Sequence, residues 1–388
     1  MPAEKGLARV KSLSENRNQR VLELKAEGKK IIGYMCCYPP AEILTAADVV
    51  PYRIMGNIEK DTIRSDTYLE SNMCPFVRNC FEMVLDGEYS FLDGILIPHS
   101  CDAMQRIFGF WRHFLKPKYL HYLEVPHVLS ESGFKFYEAE LLDVKETLEE
   151  WLGSPISDQS IQKAIQLHNQ TRALIRQIYD LRKSAPPLIS GSEVLQTLIA
   201  ILSLPAQEAN ELLESIIAEV KSRKDAPGVN KKQARLLLYG GVVDNTPLIK
   251  LIEECGGQVV MDDQAIGTRT FWFEVKQDGD LLYNLSRGYL TGIRCPRTIV
   301  GEKTESHEVD LDNRFGYLLE YARDFNVDGI LLDVLPFCDM HQFDIPDLQD
   351  YLKEKGVKAT LLNDNYTSSG LGFLKLRIMT FLEILGGV

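Results

Sequence analysis

Short apolar runs alternate with helix-like stretches in the first third of the chain. The helix-like stretch PPAEILTAADV (39–49) begins with proline, a residue favoured in the first turn of a helix. The apolar runs typical of buried strands are KKIIGYM (29–35), VVPYRIMG (49–56), LDGILIPHS (92–100) and YLHYLEVPHV (119–128). Strands that alternate with helices predict a mostly parallel, doubly wound sheet.

The middle of the chain, from about Phe134 to Arg223, carries no strand pattern. Ser157 opens a long helix whose apolar residues recur at spacings of three and four, which is typical of a helix packed on a core. Pro205 opens a further helix, and the basic, turn-rich stretch 221–233 indicates a boundary. This part of the chain is therefore predicted to be a helical insert.

A second alternation follows the insert. Its strand-like runs are ARLLLYGG (234–241), QVVMDD (258–263), VDGILLD (327–333) and VKATLLND (357–364). We therefore predict an α/β protein with two Rossmann-like, doubly wound lobes joined by a helical insert. The predicted parts are an N-terminal helical arm (1–28), a first α/β lobe (29–133), the insert (134–230) and a second α/β lobe (231–388).

Two of the predicted strands share one pattern. LDGILIPHSCD (92–102) and VDGILLDVLPFCD (327–339) each open with Asp-Gly, continue as an apolar run and close with Cys-Asp. Cys101 and Cys338 would thus follow equivalent strands, at the carboxyl ends where open α/β sheets bind their ligands. The pattern predicts a ligand in the crevice between the two lobes.

Composition and charge narrow the function classes. The 388 residues are 45% apolar and 25% charged, as in ordinary globular proteins, and the formal net charge is −12. This charge argues against nucleic acid or an anionic membrane surface as a partner. No apolar run reaches the ~18 residues of a membrane span, and the charged N-terminus lacks a signal-peptide core, so we expect a cytoplasmic location. No GxxxxGK phosphate loop is present.

The positions of the eight cysteines point to a specific chemistry. In a cytoplasmic chain they are not expected to form disulfides. Four of the six cysteines not yet named lie at a strand end or next to proline: Cys36 and Cys37 follow the first strand, Cys74 lies in SNMCPFVRNC and Cys295 in IRCPR. Cys80 lies in the same stretch as Cys74. A thiol next to proline suits a loop ligand because proline stiffens the backbone.

The spacing of these cysteines excludes the common compact metal motifs. Neither the Cys-x2-Cys pair typical of zinc nor the ferredoxin spacing is present. A soft-metal cluster between the lobes is then favoured, and iron–sulfur suits thiolate ligands best. A thiol-based enzyme and plain buried thiols are the alternatives, and Cys255, inside a predicted helix, is typical of the latter.

Two further side chains are candidates for proton transfer. Glu42 lies in the helix after Cys36 and Cys37, and His99 lies two residues before Cys101. Either side chain would be near a cluster held at these strand ends. The alternatives are a surface carboxylate and a histidine that is satisfied at the end of its strand.

These stretches together resemble the 2-hydroxyacyl-CoA dehydratase and benzoyl-CoA reductase family. The resemblance runs from about residue 20 to the C-terminus and includes the helical insert. It rests on GYMCCYPPAEIL, MCPFVRNC, YSFLDGILIPHSCDAMQR, GGQVVMDD, LLDVLPFCD and NDNYTSSGLGFLKLRIMTFLEIL. Each motif alone is modest, whereas all of them in this order are specific.

The resemblance implies an iron–sulfur component with a [4Fe-4S] cluster and a separate ATP-hydrolysing activator, itself a homodimer with its own cluster. The activator would deliver low-potential electrons, which this chain would pass to an acyl-CoA thioester for dehydration or for reduction of an aromatic ring. The family's cluster ligands fall on Cys74, Cys101 and Cys338, and its carboxylate falls on Glu42. The dimer partner would be a homologous subunit or a second copy.

The chain also departs from the family pattern. Ala265 stands where many relatives carry a cysteine, and further thiols occur elsewhere. Related double-cubane proteins hold an [8Fe-9S] cluster with six cysteines, which here would be Cys74, Cys101 and Cys338 with three of Cys36, Cys37, Cys80 and Cys295. Such a protein would be a homodimeric reductase of small molecules. A non-catalytic electron-transfer subunit is the third alternative.

Overall fold

Two separate four-stranded parallel sheets form the framework of the protein, as described by a computed structural model. The structure describes residues 5–223, 233–242, 244, 246–299, 304 and 306–386. The strands of the first sheet are β1 (Lys30–Tyr34), β2 (Val49–Arg53), β3 (Gly94–Pro98) and β4 (Tyr119–Leu123). Those of the second are β5 (Ala234–Gly240), β6 (Gly257–Asp263), β7 (Gly329–Asp333) and β8 (Ala359–Leu362).

The two sheets have the same strand order. The first is ordered β2-β1-β3-β4 and the second β6-β5-β7-β8. In each sheet the order reverses beside its first strand, because β1 pairs with β2 and β3, and β5 pairs with β6 and β7. The Asp-Gly strands β3 and β7 occupy corresponding places. The predicted α/β class with parallel sheets is confirmed.

Helices cover the sheets. Those that precede or follow strands of the first sheet are α1 (Gly6–Glu15), α2 (Asn18–Ala26), α3 (Ala41–Ala46), α4 (Pro75–Leu85) and α5 (Asp102–Phe114). The helical stretch between the sheets contains α6 (Glu131–Leu152), α7 (Asp158–Asp180), α8 (Gly191–Ile201) and α9 (Ala206–Lys221). Around the second sheet lie α10 (Thr246–Glu254), α11 (Thr268–Phe271), α12 (Leu281–Gly292), α13 (His307–Asp324), α14 (Asp339–Glu354) and α15 (Leu371–Leu385).

Local sequence explains these elements. The strands that border the reversal are apolar on both faces, and β3 is buried at every position, as parallel strands covered by helices must be. The Ser157 hydroxyl accepts from the Ser160 amide at the start of α7, and Pro205 precedes α9. α14 begins at Asp339, directly after Cys338.

The helices of the predicted insert do not share one core. Residues of α8 and α9 pack into the core of the second sheet together with α1, whereas α6 packs into a core of the first sheet. The chain also returns to the first sheet after β6, because Tyr289 of α12 joins the α6 core and Ile299 forms a bridge with Val128. The boundary stretch 221–233 lies largely outside the described residues.

No helix within the described ranges combines the length and the apolar character that crossing a membrane requires.

Candidate functional site

A cavity of about 660 Å³ brings three distant cysteines together. Its wall includes Cys74, Cys101 and Cys338. Cys101 follows β3 and Cys338 follows β7, so the cavity receives one residue from beyond the same strand of each sheet. These strands border the points where the strand order reverses, the usual ligand position in open parallel sheets. The volume lies within the range of small-molecule sites.

Each of the three cysteines stands at the N-terminus of a helix. Cys74 precedes α4, Cys101 precedes α5 and Cys338 precedes α14. The first turn of a helix presents unpaired backbone N–H groups and a partial positive charge, which favour an anion. The amides of Val77 and Met104 act in this direction on the first two sulfurs. Three such helix ends around one cavity suit anionic sulfur ligands.

Without a metal, these thiols would be protonated. Burial, followed by the charge of Cys101, raises the pKa of Cys74 to about 12. Burial likewise raises the pKa of Cys101 to about 12 and raises that of Cys338 further. The helix amides lower the pKa values of Cys74 and Cys101, but they offset the effect of burial only in part. A bound cation with affinity for sulfur would supply the remaining stabilisation of the thiolates.

A second group of thiols lies next to the cavity. The sulfurs of Cys36 and Cys37 are 3.8 Å apart, and the charge of Cys295 acts on both Cys37 and Cys101. The hydrogen bond from Cys37, with Arg53 nearby, lowers the pKa of Cys36 to about 5, whereas the same contact and burial raise that of Cys37. Cys36 also has a left-handed backbone, with φ 61°. Such strain in a non-glycine residue is most common at functional sites.

Two buried arginines face this second group. Arg53 is 1% exposed and Arg297 is 3% exposed. Arg53 donates to the Cys36 carbonyl, and its Nε and Nη2 atoms have no hydrogen-bond partner among the described residues. Neither arginine forms an ion pair within the described part of the chain. Because an uncompensated buried cation is costly, the region suits an added negative charge.

Cys338 is connected to a buried network of the second sheet. Its Sγ atom lies 3.3 Å from Nδ1 of His341, whose Nε2 lies 3.0 Å from Nη1 of Arg269. Arg269 donates twice to Asp263, over 2.9 Å each. Burial, with the charge of Arg269, lowers the pKa of His341 well below its ordinary value, so the ring is neutral.

The two proton-transfer candidates lie outside the cavity wall. Glu42 is fully buried rather than on the surface, and it forms an ion pair with Arg172 over 2.6 Å. Burial is the largest single effect and tends to raise the pKa of Glu42, but Arg172, His168 and Tyr289 together outweigh it, so the net shift is downward. His99 lies at the end of β3, where its Nδ1 is 2.7 Å from Glu124.

The remaining two cysteines are also separate from the cavity wall. Cys80 is fully buried in the core between α4 and the first sheet, where burial and then Asp244 raise its pKa. Cys255 follows α10 and packs, partly exposed, against the core of the second sheet. The structure therefore groups Cys74, Cys101 and Cys338 directly and brings Cys36, Cys37 and Cys295 beside them. It places Cys80 outside the cavity wall but close enough for the charge of Cys74 to act on it, and it leaves Cys255 apart.

The sequence that forms this site matches a known protein family. The family model described as 2-hydroxyglutaryl-CoA dehydratase, D-component, matches residues 36–385. The chain belongs to this D-component family. The match begins just after β1 and includes the other seven strands, together with the six cysteines that line or adjoin the cavity.

Curated relatives of the D-component family cover most of the chain. One subunit of the benzoyl-CoA reductase of Thauera aromatica is 31% identical over 85% of this chain and 84% of its own length. The (R)-phenyllactyl-CoA dehydratase beta subunit of Clostridium sporogenes is 23% identical over 97% of both chains. The (R)-2-hydroxyglutaryl-CoA dehydratase beta subunit of Acidaminococcus fermentans is 25% identical over 96% of this chain and 97% of its own.

The donor set of this family member fits a sulfur-rich cluster better than a single ion. Among the residues that the structure describes, no three Cys, His, Asp or Glu side chains are close enough to hold one metal ion. The three thiols instead surround open space, which is what a polynuclear cluster needs. Thiolates are the ligands that select iron–sulfur clusters, and the helix amides provide donors to sulfur.

Several residues of the site had weaker sequence signals. Arg53 is a charged residue at the end of a buried strand, VVPYR, and such a position is unusual enough to be noticed. His341 stands three residues after Cys338, a spacing that places both on one face at the start of a helix. Asp263 ends the stretch GGQVVMDD, and Arg269 lies in α11 shortly after it. No sequence pattern indicates that Arg269 contacts both Asp263 and His341.

Proposed function

We propose that this chain is the iron–sulfur component of an ATP-dependent, low-potential reductive enzyme. A separate ATP-hydrolysing activator would supply the electrons, and an acyl-CoA thioester would receive them. The observation that carries the proposal is the convergence of Cys74, Cys101 and Cys338, each at a helix N-terminus, on one cavity. The names of the relatives, which are dehydratase and reductase subunits acting on CoA thioesters, support the substrate class.

In this proposal the two sheets belong to two lobes, and the cavity is the crevice between them. Cys74, Cys101 and Cys338 would hold a [4Fe-4S] cluster, which when bound supplies single electrons at low potential. The relatives are named as subunits, so we place this chain in a dimer with a homologous subunit or a second copy.

The chain's own residues would shape the space beside the cluster. Phe110, Phe337 and Met340 line the cavity and would exclude water from a bound thioester. Arg106 and Asp102 form an exposed ion pair over 2.7 Å at the same wall, where polar groups of a ligand could be held. Phe337 has a left-handed backbone, with φ 60°, and thereby sets the position of the following Cys338.

Anaerobic purification with iron and sulfide analysis tests the cluster. The full chain should contain about four iron per chain. Cys74→Ala, Cys101→Ala and Cys338→Ala should each lose the cluster, whereas the matched control Cys255→Ala should keep it, because Cys255 packs away from the cavity. Retention of the cluster in all three variants would refute the ligand assignment.

Reactivity is tested separately from cluster content. Reduced, iron-loaded protein should change its electron paramagnetic resonance spectrum when an acyl-CoA thioester is added, because the ligand would bind beside the cluster. Turnover should require the ATP-hydrolysing activator. A cluster that responds to no acyl-CoA would instead support a non-catalytic electron-transfer subunit.

A second candidate is a double-cubane [8Fe-9S] reductase of small molecules. Its support is the position of Cys36, Cys37 and Cys295 beside the cavity, near the guanidinium groups of Arg53 and Arg297, which form no ion pair within the described residues. Six thiols would then act together, and Cys80 would not be among them. About eight iron per chain, falling when Cys36 or Cys295 is replaced by alanine, would favour this candidate over the first.

A further inference from the structure

His341 links a thiol of the site to an arginine held inside the second sheet. Its ring is 5% exposed, and its two nitrogens face different partners. Nδ1 lies 3.3 Å from the sulfur of Cys338, and Nε2 lies 3.0 Å from Nη1 of Arg269. The position of the ring is thus determined at both ends.

Arg269 determines which nitrogen carries the proton. A guanidinium group has five N–H donors and no acceptor, so the nitrogen facing it must accept. Nε2 of His341 is therefore unprotonated, and the single ring proton of a neutral histidine lies on Nδ1. Nδ1 consequently donates, and the sulfur of Cys338 is within hydrogen-bond distance of it. The Gly240 carbonyl also favours a proton on this ring, and because Nε2 accepts from Arg269, that proton must lie on Nδ1.

The arginine cannot easily turn away. Asp263 accepts from its Nε and Nη2 atoms over 2.9 Å each, and Tyr317 donates to the same carboxylate over 2.7 Å. Arg269 is 2% exposed and Asp263 is 1% exposed. This bidentate pair fixes the arginine, the arginine fixes the tautomer of His341, and the tautomer presents an N–H group to Cys338.

We propose that His341 is a positioning residue that donates a hydrogen bond to the sulfur of Cys338 and thereby raises the reduction potential of the cluster. The inference rests on the proposed function, because it assumes that Cys338 is a cluster ligand. Reduction adds negative charge, part of which resides on the ligand sulfurs. A donor to sulfur stabilises the reduced state more than the oxidised state.

Redox titration of the iron-loaded chain, followed by electron paramagnetic resonance, tests the effect. His341→Phe removes the donor, and at a fixed solution potential the ratio of reduced to oxidised cluster should fall about tenfold, a shift of about 59 mV for one electron. His341→Asn is the matched variant, since its amide nitrogen takes nearly the place of Nδ1, and it should restore most of the ratio. An unchanged ratio in His341→Phe at full iron content would overturn the proposal.

The tautomer can be measured even if a variant fails to assemble its cluster. In wild-type chain labelled with nitrogen-15 histidine, the His341 ring should show a protonated Nδ1 and an unprotonated Nε2. The seven histidines can be distinguished by comparison with His341→Asn. An Nε2-protonated ring would refute the proposal in iron-free as well as iron-loaded protein. A chain that binds no iron but shows the expected tautomer would instead refute the proposed function and establish only the protonation of the His341 ring.

Discussion

Each sheet is supported by a buried carboxylate that is paired with an arginine and bonded by a tyrosine hydroxyl. Behind the first sheet, Glu42 of α3 accepts from Arg172 and from Tyr289 over 2.6 Å each. Behind the second sheet, Asp263 at the end of β6 accepts from Arg269 over 2.9 Å and from Tyr317 over 2.7 Å. The two networks are similar in composition and burial.

They differ in what lies beyond the arginine. The Arg172 guanidinium lies against the ring of Phe273, 4.4 Å from its centroid, within the core between α7 and α12. Arg269 instead donates to His341, which contacts the sulfur of Cys338. The second network thus contacts a candidate ligand directly. The first lines a space shared with Cys37 but forms no hydrogen bond to a cysteine within the described part of the chain. The residue types of the two networks would not distinguish their roles, whereas the contact from Arg269 to His341 does.

Of the changes considered, replacing Cys338 at the end of the second network should have the largest effect, which is loss of the cluster. Cys338→Ala should weaken retention of the cluster at least ~100-fold, the upper range for losing a ligand's supporting contact, because it removes the ligand itself. Iron content after anaerobic gel filtration measures this loss. The control Cys255→Ala should retain its iron. Equal iron contents in Cys338→Ala and Cys255→Ala would mean that Cys338 is not a cluster ligand.

Breaking either the Glu42–Arg172 or the Asp263–Arg269 ion pair should lower the stability of the protein. Only the loss of the second pair should also change the midpoint potential of the cluster. Glu42→Ala and Asp263→Ala each leave an arginine buried without its partner, so each should lower the free energy of unfolding by about 3–5 kcal/mol. Anaerobic urea denaturation measures both losses. The midpoint potential of the cluster should change in Asp263→Ala and stay constant in Glu42→Ala.

The Glu42 variant also decides the role of that carboxylate. If Glu42→Gln loses most of its turnover while its stability and iron content are unchanged, the result would support a role for Glu42 in proton transfer. It would also show that the first network is not merely structural. The buried ion pair and the position of Glu42 outside the cavity wall lead us to expect the opposite.

The sheets were predictable from local sequence, because a strand buried on both faces needs an unbroken apolar run. All the predicted runs but that of β4 coincide with their strands within a few residues at each end, and β4 begins where its run begins. The convergence of Cys101 with Cys338 was predictable for a related reason. Equivalent strands in two similar sheets deliver their following residues to equivalent places.

The two ion networks could not be predicted in the same way. Glu42 meets Arg172 and Tyr289, which lie 130 and 247 residues further along the chain. No local periodicity records such a contact, because it arises when α7 and α12 pack on the first sheet. His341 differs, since its spacing from Cys338 is local and can be read in the sequence.

Acid should destabilise the fold through the buried, uncharged histidine beside the first network. Burial lowers the pKa of His168, whose Nε2 lies 2.9 Å from the Thr45 hydroxyl beside Glu42, to about 4. An unfolded histidine titrates near 6.5, so between about pH 6.5 and 4 the unfolded chain binds more protons than the folded chain. The free energy of unfolding should therefore decrease as the pH falls, by up to about 1.4 kcal/mol per pH unit from this group.

The matched variant is His168→Gln, which keeps a polar nitrogen near the Thr45 hydroxyl but does not titrate. Urea denaturation of both proteins at pH 7, 6 and 5 gives the difference in slope, in which the other histidines cancel. The variant should lose less stability on acidification than the wild type. Parallel slopes would show that His168 is already as accessible to protons in the folded chain as in the unfolded one.

The central claim is that Cys74, Cys101 and Cys338 hold an iron–sulfur cluster in the cavity that they line. Iron and acid-labile sulfide analysis of the anaerobically purified and reconstituted chain tests it most directly. The protein should be brown and contain about four iron per chain, whereas about eight iron per chain would favour the double-cubane candidate. A colourless protein that remains free of iron after reconstitution would contradict the claim.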